Sequence, residues 1–167
     1  MPTMYALTVP AVLRSLSVLA RYLDLAEAHT AAHGLDAGAL INARLAPDML
    51  TLAGQVQRAS DNAKGGVARL AGVEAPGYAD DETSFPELKA RLAKTVAFIE
   101  GVDPAAFEGS DTRVLTLTFR SINGDMTGFE YLTRYLLPNV DFHITTAHGI
   151  LRNQGLAIGK KDYFGVA

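Results

Sequence analysis

Apolar residues recur at every third or fourth position through four long stretches of this chain, and this periodicity constrains the fold more than any other feature. The stretches span residues 8–33, 47–72, 85–100 and 129–153. Because a spacing of three and four places side chains on one face of an α-helix, each stretch predicts an amphipathic helix. Four apolar faces must be buried against one another, so the periodicity predicts an all-α helical bundle.

The starts of two of these helices are marked by capping boxes, in which a Ser or Thr and a Glu three residues later satisfy each other's backbone N–H groups. Ser84 and Glu87 mark the start of the third helix, and Thr127 and Glu130 mark the start of the fourth. Pro138 lies inside the fourth helix, where it lacks an N–H donor and therefore predicts a kink.

The second helix contains two adjacent glycines, Gly65 and Gly66. Each costs about 1 kcal/mol relative to Ala in a helix interior. No strand precedes them and no Gly-Lys-Ser/Thr motif follows them, which argues against a phosphate-binding loop. The pair therefore predicts the close approach of a neighbouring helix.

One short segment has a different pattern. Residues 113–120 alternate apolar and polar side chains and are rich in β-branched residues, so they predict a strand. Asn123-Gly124 is typical of a two-residue hairpin turn and predicts a short return strand around Asp125 and Met126. We therefore expect a single domain over residues 1–167, a helical bundle with one short β-hairpin before the last helix.

Composition excludes several classes of function. The 167 residues carry 15 Lys and Arg against 18 Asp and Glu, a net charge of −3, so nucleic acid is not an expected partner. The chain has no Cys, which excludes disulfides and thiolate metal sites. We see no signal peptide and no apolar run near the ~20 residues that span a bilayer, so a membrane is not an expected partner either. A cytoplasmic location is expected.

Polar residues interrupt the inner faces of the second and fourth helices. Asn139 and His143 lie four residues apart on the inner stripe of the fourth helix, and Gln55 flanks that of the second, seven residues after Asp48. A buried amide or imidazole without a partner costs about 1–3 kcal/mol. These groups therefore form either a hydrogen-bonded network that fixes the helix register or a small-molecule site between helices.

Two other clusters predict structural roles. His29 and His33 have a spacing that can chelate a metal, but histidines are also favourable near a helix C-terminus. Three consecutive acids, 80–82, lack the spacing and glycine of a calcium loop and predict a solvated turn. No Gly-x-Ser-x-Gly motif marks a serine nucleophile.

Three short motifs occur in a recognisable order. Residues 46–49 read Ala-Pro-Asp-Met at the start of the second helix, residues 138–143 read Pro-Asn-x-x-Phe-His, and residues 151–155 read Leu-Arg-x-x-Gly. With the hairpin between them, this order resembles an uncharacterised domain-of-unknown-function family of the DinB/YfiT-like metalloenzyme superfamily. The resemblance covers nearly the whole chain.

The resemblance implies a four-helix bundle in up-down-down-up order, a form that is often dimeric. It also implies a triad of histidines, one on the second helix and two on the fourth. The corresponding positions here are Gln55, Asn139 and His143, so one of the three imidazoles is present. Because neutral amides are poor ligands for Zn²⁺ and Ni²⁺, no metal is the expectation, with His143 as the one weak candidate ligand and a bound divalent metal as the alternative.

Two functions stay open at this point. The first is a small-molecule-binding or structural module with a degenerate metal site, whose ligand-binding residues are Asp48, Gln55, Asn139 and His143. The second is a metal-dependent transferase or hydrolase of the DinB/YfiT-like type, with His143 as the candidate catalytic residue. A homodimer is expected, from the resemblance and because apolar residues surround much of the first helix.

Overall fold

The computed structural model describes residues 2–119 and 122–165. Helix accounts for 65 % of the chain, and one two-stranded antiparallel sheet accompanies it. The elements in chain order are α1 Met4–His33, α2 Ala37–Ile41, α3 Leu52–Ala71, α4 Phe85–Glu100, β1 Val114–Phe119, β2 Ile122–Thr127, α5 Gly128–Tyr131, α6 Leu137–Asn153 and α7 Lys160–Phe164. A 3₁₀ turn, Pro104–Phe107, follows α4, and a π-helical turn, Leu132–Leu136, joins α5 to α6.

The four long helices enclose the core. Helices α1 and α3 each pack against both α4 and α6, and the two also contact each other. Fully buried side chains from all four helices meet between them; among the largest are Tyr22, Leu16, Leu19, Leu52, Leu70, Leu88 and Leu92. The prediction of a mostly helical chain with one hairpin before the last long helix is therefore confirmed.

The hairpin has a different register from the predicted one. Phe119 pairs with Ile122, and the predicted turn residues Asn123 and Gly124 lie inside β2, opposite Thr118 and Leu117. The predicted turn position is wrong because this register pairs six residues on each strand, whereas a turn at 123–124 leaves little strand before the next helix. Residues 120 and 121, which connect the strands, lie outside the described residues.

Helix α3 begins five residues later than predicted. Thr51 is its N-cap, and the Thr51 hydroxyl accepts a hydrogen bond from the Gly54 N–H at 3.1 Å. Residues 47 and 48 form a turn before the helix, so the predicted start at Pro47 is wrong. The local reason is that a Thr cap satisfies an otherwise unpaired N–H group of the first turn, which Pro47 does not do.

A π-helical turn precedes Pro138. The capping box of Thr127 and Glu130 is formed as predicted, and the helix that it starts passes into π geometry over Leu132–Leu136. The Leu137 N–H donates to the carbonyl of Leu132, five residues back. Pro138 then occupies the first turn of α6, where its missing N–H costs little.

Arg91 of α4 is buried, with 2 % of its surface exposed, and it binds the segment between α3 and α4. Its guanidinium contacts the carboxylates of Asp61 at 2.7 Å, Glu82 at 2.8 Å and Asp80 at 3.0 Å, and donates to the Ala79 carbonyl at 2.7 Å. Asp80 and Asp81 are exposed, as a solvated turn predicts, but Asp80 and Glu82 also supply the counter-charges that a buried guanidinium requires.

The C-terminal segment forms α7 and packs on α1. Arg14 donates to the Tyr163 carbonyl at 3.2 Å, and Arg21 pairs with Asp162 at 3.1 Å. Helix α1 is long and apolar enough to pass for a membrane span, but half of that stretch is buried in this fold. The helix is covered on several sides by other helices of its own chain.

Candidate functional site

Gln55 of α3 and His143 of α6 meet across the interface between these two helices. Nδ1 of His143 lies 2.7 Å from Oε1 of Gln55. Gln55 is 2 % exposed and His143 is half-buried. The structure therefore brings together two of the four residues that were predicted as ligand-binding.

The hydrogen bonds fix the proton on one nitrogen of His143. The Gln55 amide nitrogen donates to the Leu50 carbonyl at 3.4 Å, which turns Oε1 of Gln55 toward the imidazole. An amide oxygen only accepts, so we assign the proton of the neutral ring to Nδ1. The assignment leaves Nε2 of His143 as a hydrogen-bond acceptor.

Nε2 of His143 is not completely buried. Among the described residues, no side chain or backbone group forms a hydrogen bond with it. Within residues 2–119 and 122–165, the one fully buried side-chain polar atom that lacks a hydrogen-bond partner is Oγ1 of Thr8, on α1. An unpartnered Nε2 is therefore not sealed in the core.

The surroundings keep His143 neutral. Burial, with a smaller contribution from the positive charge of Arg58, lowers the pKa of His143 from 6.5 to about 4. Burial disfavours the charged imidazolium, and a nearby cation adds to this. At neutral pH the ring is therefore an uncharged acceptor with low basicity.

Asn139 lies one turn before His143 on α6 and is half-buried. Its side-chain amide has no hydrogen-bond partner among the described residues, and it is not fully buried either. Asn139 therefore presents free donors and an acceptor next to the pair of Gln55 and His143, on the same helix face as Nε2.

The side chain of Asp48 forms no hydrogen bond with Gln55 or His143. It is exposed, in the turn that precedes α3 rather than on the helix, and the described residues offer its carboxylate no hydrogen-bond partner. Apolar side chains are exposed near the pair instead, with Leu50 46 % and Phe142 58 % exposed. The edge of the site is therefore apolar, and its centre is polar and neutral.

A second histidine contact joins α1 to α6, and the sequence reading missed it. Nδ1 of His148 lies 2.7 Å from the hydroxyl of Tyr22. Burial raises the pKa of Tyr22 to about 12 and lowers the pKa of His148. The sequence signals this contact only through Tyr22, a polar-tipped residue on the inner stripe of α1. Its partner His148 cannot be predicted, because the pairing depends on how α1 and α6 pack.

His29 and His33 stack at the C-terminal end of α1. Their ring centroids are 4.3 Å apart, and Nδ1 of His33 donates to the His29 carbonyl at 2.9 Å. That hydrogen bond gives the His29 carbonyl, in the last turns of the helix, a second donor. It supports the structural interpretation of this pair.

The residues present do not fit a tightly held divalent metal. Within residues 2–119 and 122–165, no three His, Asp or Glu side chains lie close enough together to hold one. The three positions that the resemblance assigns to the triad supply one imidazole nitrogen and two neutral amides, and Oε1 of Gln55 already accepts from His143. Amide oxygen is a poor ligand for transition metals.

Comparison with known proteins agrees with the fold. The domain of unknown function DUF1993 matches residues 4–164. A crystal structure of a DinB family member protein from Shewanella denitrificans is 41 % identical, with a TM-score of 0.91, over 98 % of this chain and 93 % of that chain. No curated protein matches this chain. The chain therefore belongs to the DUF1993 family, an uncharacterised DinB-like family.

Proposed function

We propose that the protein is a small-molecule-binding module whose site is centred on Gln55 and His143, with Asn139 beside them. The observation that carries the proposal is the 2.7 Å hydrogen bond between Nδ1 of His143 and Oε1 of Gln55. It holds a neutral imidazole whose acceptor nitrogen has no partner among the described residues and is not completely buried. Asp48 is proposed to act only at the outer edge of the site.

The chemistry of the site selects its ligand. Nε2 of His143 accepts a hydrogen bond, and the exposed side chains of Leu50 and Phe142 offer apolar contact close by. A suitable ligand therefore carries an O–H or N–H donor next to an apolar group. Small-molecule sites combine apolar walls with a few placed polar groups in this way.

Proton transfer by His143 is less well supported. A general base works best when its pKa is near the operating pH, and the pKa of His143 is about 4. The partner of Nδ1 is also an amide rather than a carboxylate, so nothing stabilises the imidazolium that proton abstraction would create. These two facts favour binding over catalysis at this position.

The binding proposal is tested by NMR titration of the ¹⁵N-labelled protein with phenol and with anisole. Phenol donates a hydrogen bond, whereas anisole has the same ring and no donor. We expect phenol to shift the Nε2 signal of His143 saturably and anisole to leave it unchanged. Equal responses to the two probes, or an Nε2 that carries the proton, would contradict the proposal.

The metal-dependent alternative, a transferase or hydrolase that uses His143, is tested on the same preparation. Elemental analysis of the purified protein is expected to find well below one equivalent of zinc, nickel, iron or manganese. Stoichiometric metal that is lost in His143→Ala would instead support the enzyme. DinB-like proteins are typically metal-dependent, which makes this the decisive comparison.

Assembly and helix order complete the proposal. We propose the up-down-down-up order of the superfamily for the four long helices, supported by the packing of α1 and α3 against both α4 and α6.

We also propose a homodimer, now on the resemblance alone, because most of the apolar residues of α1 that suggested one are buried within the chain. Sedimentation at micromolar concentration showing only a species near 17.8 kDa would contradict the dimer. A cytoplasmic location stays a prediction.

A further inference from the structure

A second site lies at the N-terminal end of α1, away from Gln55 and His143. A groove of about 840 Å³ runs between the first turn of α1, the 3₁₀ turn Pro104–Phe107, the segment 108–111 and the start of α5. Small-molecule sites typically have volumes of about 300–1,000 Å³. The groove is therefore large enough to hold a compact organic molecule.

Aromatic side chains form much of its wall. The rings of Tyr5 and Phe107 pack edge to face with centroids 5.5 Å apart, and Phe129 contributes a ring that is 50 % exposed. The face of an aromatic ring carries negative charge density and attracts a cation within about 6 Å. An apolar body with a positive charge would therefore find both of its contacts here.

The charged residues that line the groove all have the same sign. They are Asp103, Glu108 and Asp111, and no Lys, Arg or His of the described residues lines it. One oxygen of Asp103 accepts from the Ala105 N–H, whereas the carboxylates of Glu108 and Asp111 have no hydrogen-bond partner in the described part of the chain. The N-terminus of α1 adds about half a positive charge, and the Arg113 guanidinium donates to the Glu108 carbonyl at 3.2 Å, so the three carboxylates still leave a net negative charge around the groove.

We propose that this groove binds an organic cation, a small molecule with an amine or quaternary ammonium group on an apolar or aromatic body. The aromatic rings and the apolar floor hold the body, and the carboxylates of Glu108 and Asp111 hold the charge at the rim. A neutral molecule of the same shape gains only the first contribution, and an anion is repelled.

The proposal is tested by NMR titration with benzyltrimethylammonium, compared with benzyl alcohol as a neutral probe of related shape. The cation cannot donate a hydrogen bond to His143, whereas benzyl alcohol can, so the affinities of both probes are taken from signals of groove residues only. We expect saturable shifts at Tyr5, Phe107 and Phe129 with the cation, weaker ones with the alcohol, and cation binding that weakens as salt is added.

Substitutions separate the two contributions. Glu108→Gln combined with Asp111→Asn keeps the shape, removes two charges and is expected to weaken cation binding about tenfold, with little effect on the alcohol. Phe129→Ala is expected to weaken cation binding about threefold. The matched control, Asp81→Asn combined with Asp141→Asn, removes two exposed charges elsewhere and is expected to change nothing.

Three results would overturn the proposal. The first is the absence of saturable binding of benzyltrimethylammonium to the wild-type protein. The second is equal affinity for the two probes, unaffected by salt. The third is a dimer in which the groove is covered and which dissociates in Phe129→Ala, since the occupant would then be a second copy of the chain.

Discussion

Nδ1 of His143 and Oε1 of Gln55 lie 2.7 Å apart although 88 residues separate them in the sequence. This one hydrogen bond joins the start of α3 to the middle of α6. Gln55 is buried and His143 is half-buried, and an unpaired polar atom in such a position costs more than the hydrogen bond contributes. Replacing one of the two side chains leaves an unpaired polar atom, whereas replacing both does not. The two kinds of variant should therefore differ in stability.

A double-mutant cycle tests this relationship. We expect Gln55→Leu to lower the free energy of unfolding by about 1–3 kcal/mol, because it leaves the His143 N–H unpaired. His143→Leu should have a similar effect through Oε1 of Gln55. The double variant should be less destabilised than the sum of the two, as measured by urea unfolding. Additive losses would show that the two side chains do not depend on each other.

The lowered pKa of His143 predicts a pH dependence of stability. The folded protein takes up a proton on His143 only near pH 4, whereas the unfolded chain takes it up near pH 6.5. Between these values the unfolded state binds more protons, so stability must fall as the pH falls from 6.5 toward 4. The contribution of His143 to that loss is at most about 3 kcal/mol.

This pH dependence is measured by comparing wild type with His143→Gln in urea unfolding at pH 7, 5.5 and 4. The comparison is needed because the pKa of His148 is also lowered by burial and contributes in the same direction. The stability difference should move in favour of His143→Gln as the pH falls. Parallel pH profiles for the two proteins would contradict a buried, neutral His143.

The amides at the triad positions predict a gain-of-function variant. Replacing Gln55 and Asn139 by His supplies two further imidazoles beside His143, and three imidazoles form a sound zinc site. We expect Gln55→His combined with Asn139→His to bind zinc tightly, seen as a raised melting temperature that a chelator reverses. The single variant Asn139→His is the control and should bind far more weakly. Failure of the double variant would show that these three positions do not converge.

The adjacent glycines of α3 predict opposite responses to one substitution. A Cβ on Gly66 would overlap the buried side chain of Leu136, whereas a Cβ on Gly65 meets no atom within 4 Å. Gly65→Ala should therefore stabilise the protein by up to about 1 kcal/mol through helix propensity. Gly66→Ala should destabilise it by about 1–3 kcal/mol through overpacking. Thermal unfolding of both variants checks the contrast, and stabilisation by both would contradict it.

Much of the fold could be predicted because its signals are local. The capping box of Thr127 and Glu130 forms as expected, since the two residues need only each other. At the start of α4 the Ser84 hydroxyl accepts from the Glu87 N–H as predicted, but the Glu87 carboxylate accepts from the Thr83 N–H, one residue before the cap. The close approach at Gly66 could also be predicted, because a glycine in a helix interior is unfavourable unless a neighbouring element packs closely against it. The hairpin turn was misplaced because the register depends on how many residues pair and on the burial of Leu117, and neither is visible in Asn123-Gly124.

The candidate site could be predicted only in part. Gln55 and His143 stand out as polar residues on inner helix faces, and the resemblance places them together. The contact between Tyr22 and His148 has no such signal, because it arises only when α1 and α6 pack. Arg91 was missed for a similar reason, since its acidic partners come from α3 and from a connecting segment.

The contacts of Arg91 have a consequence for where this chain can be cut or opened. The segment 72–84 contains no helix or strand and would be the obvious place for a protease site, an inserted domain or new termini. However, Arg91 donates a hydrogen bond to the Ala79 carbonyl and forms ion pairs with the carboxylates of Asp80 and Glu82. Opening the chain there would remove counter-charges from the buried guanidinium of Arg91. This connection should therefore resist proteolysis in the native protein and tolerate circular permutation poorly.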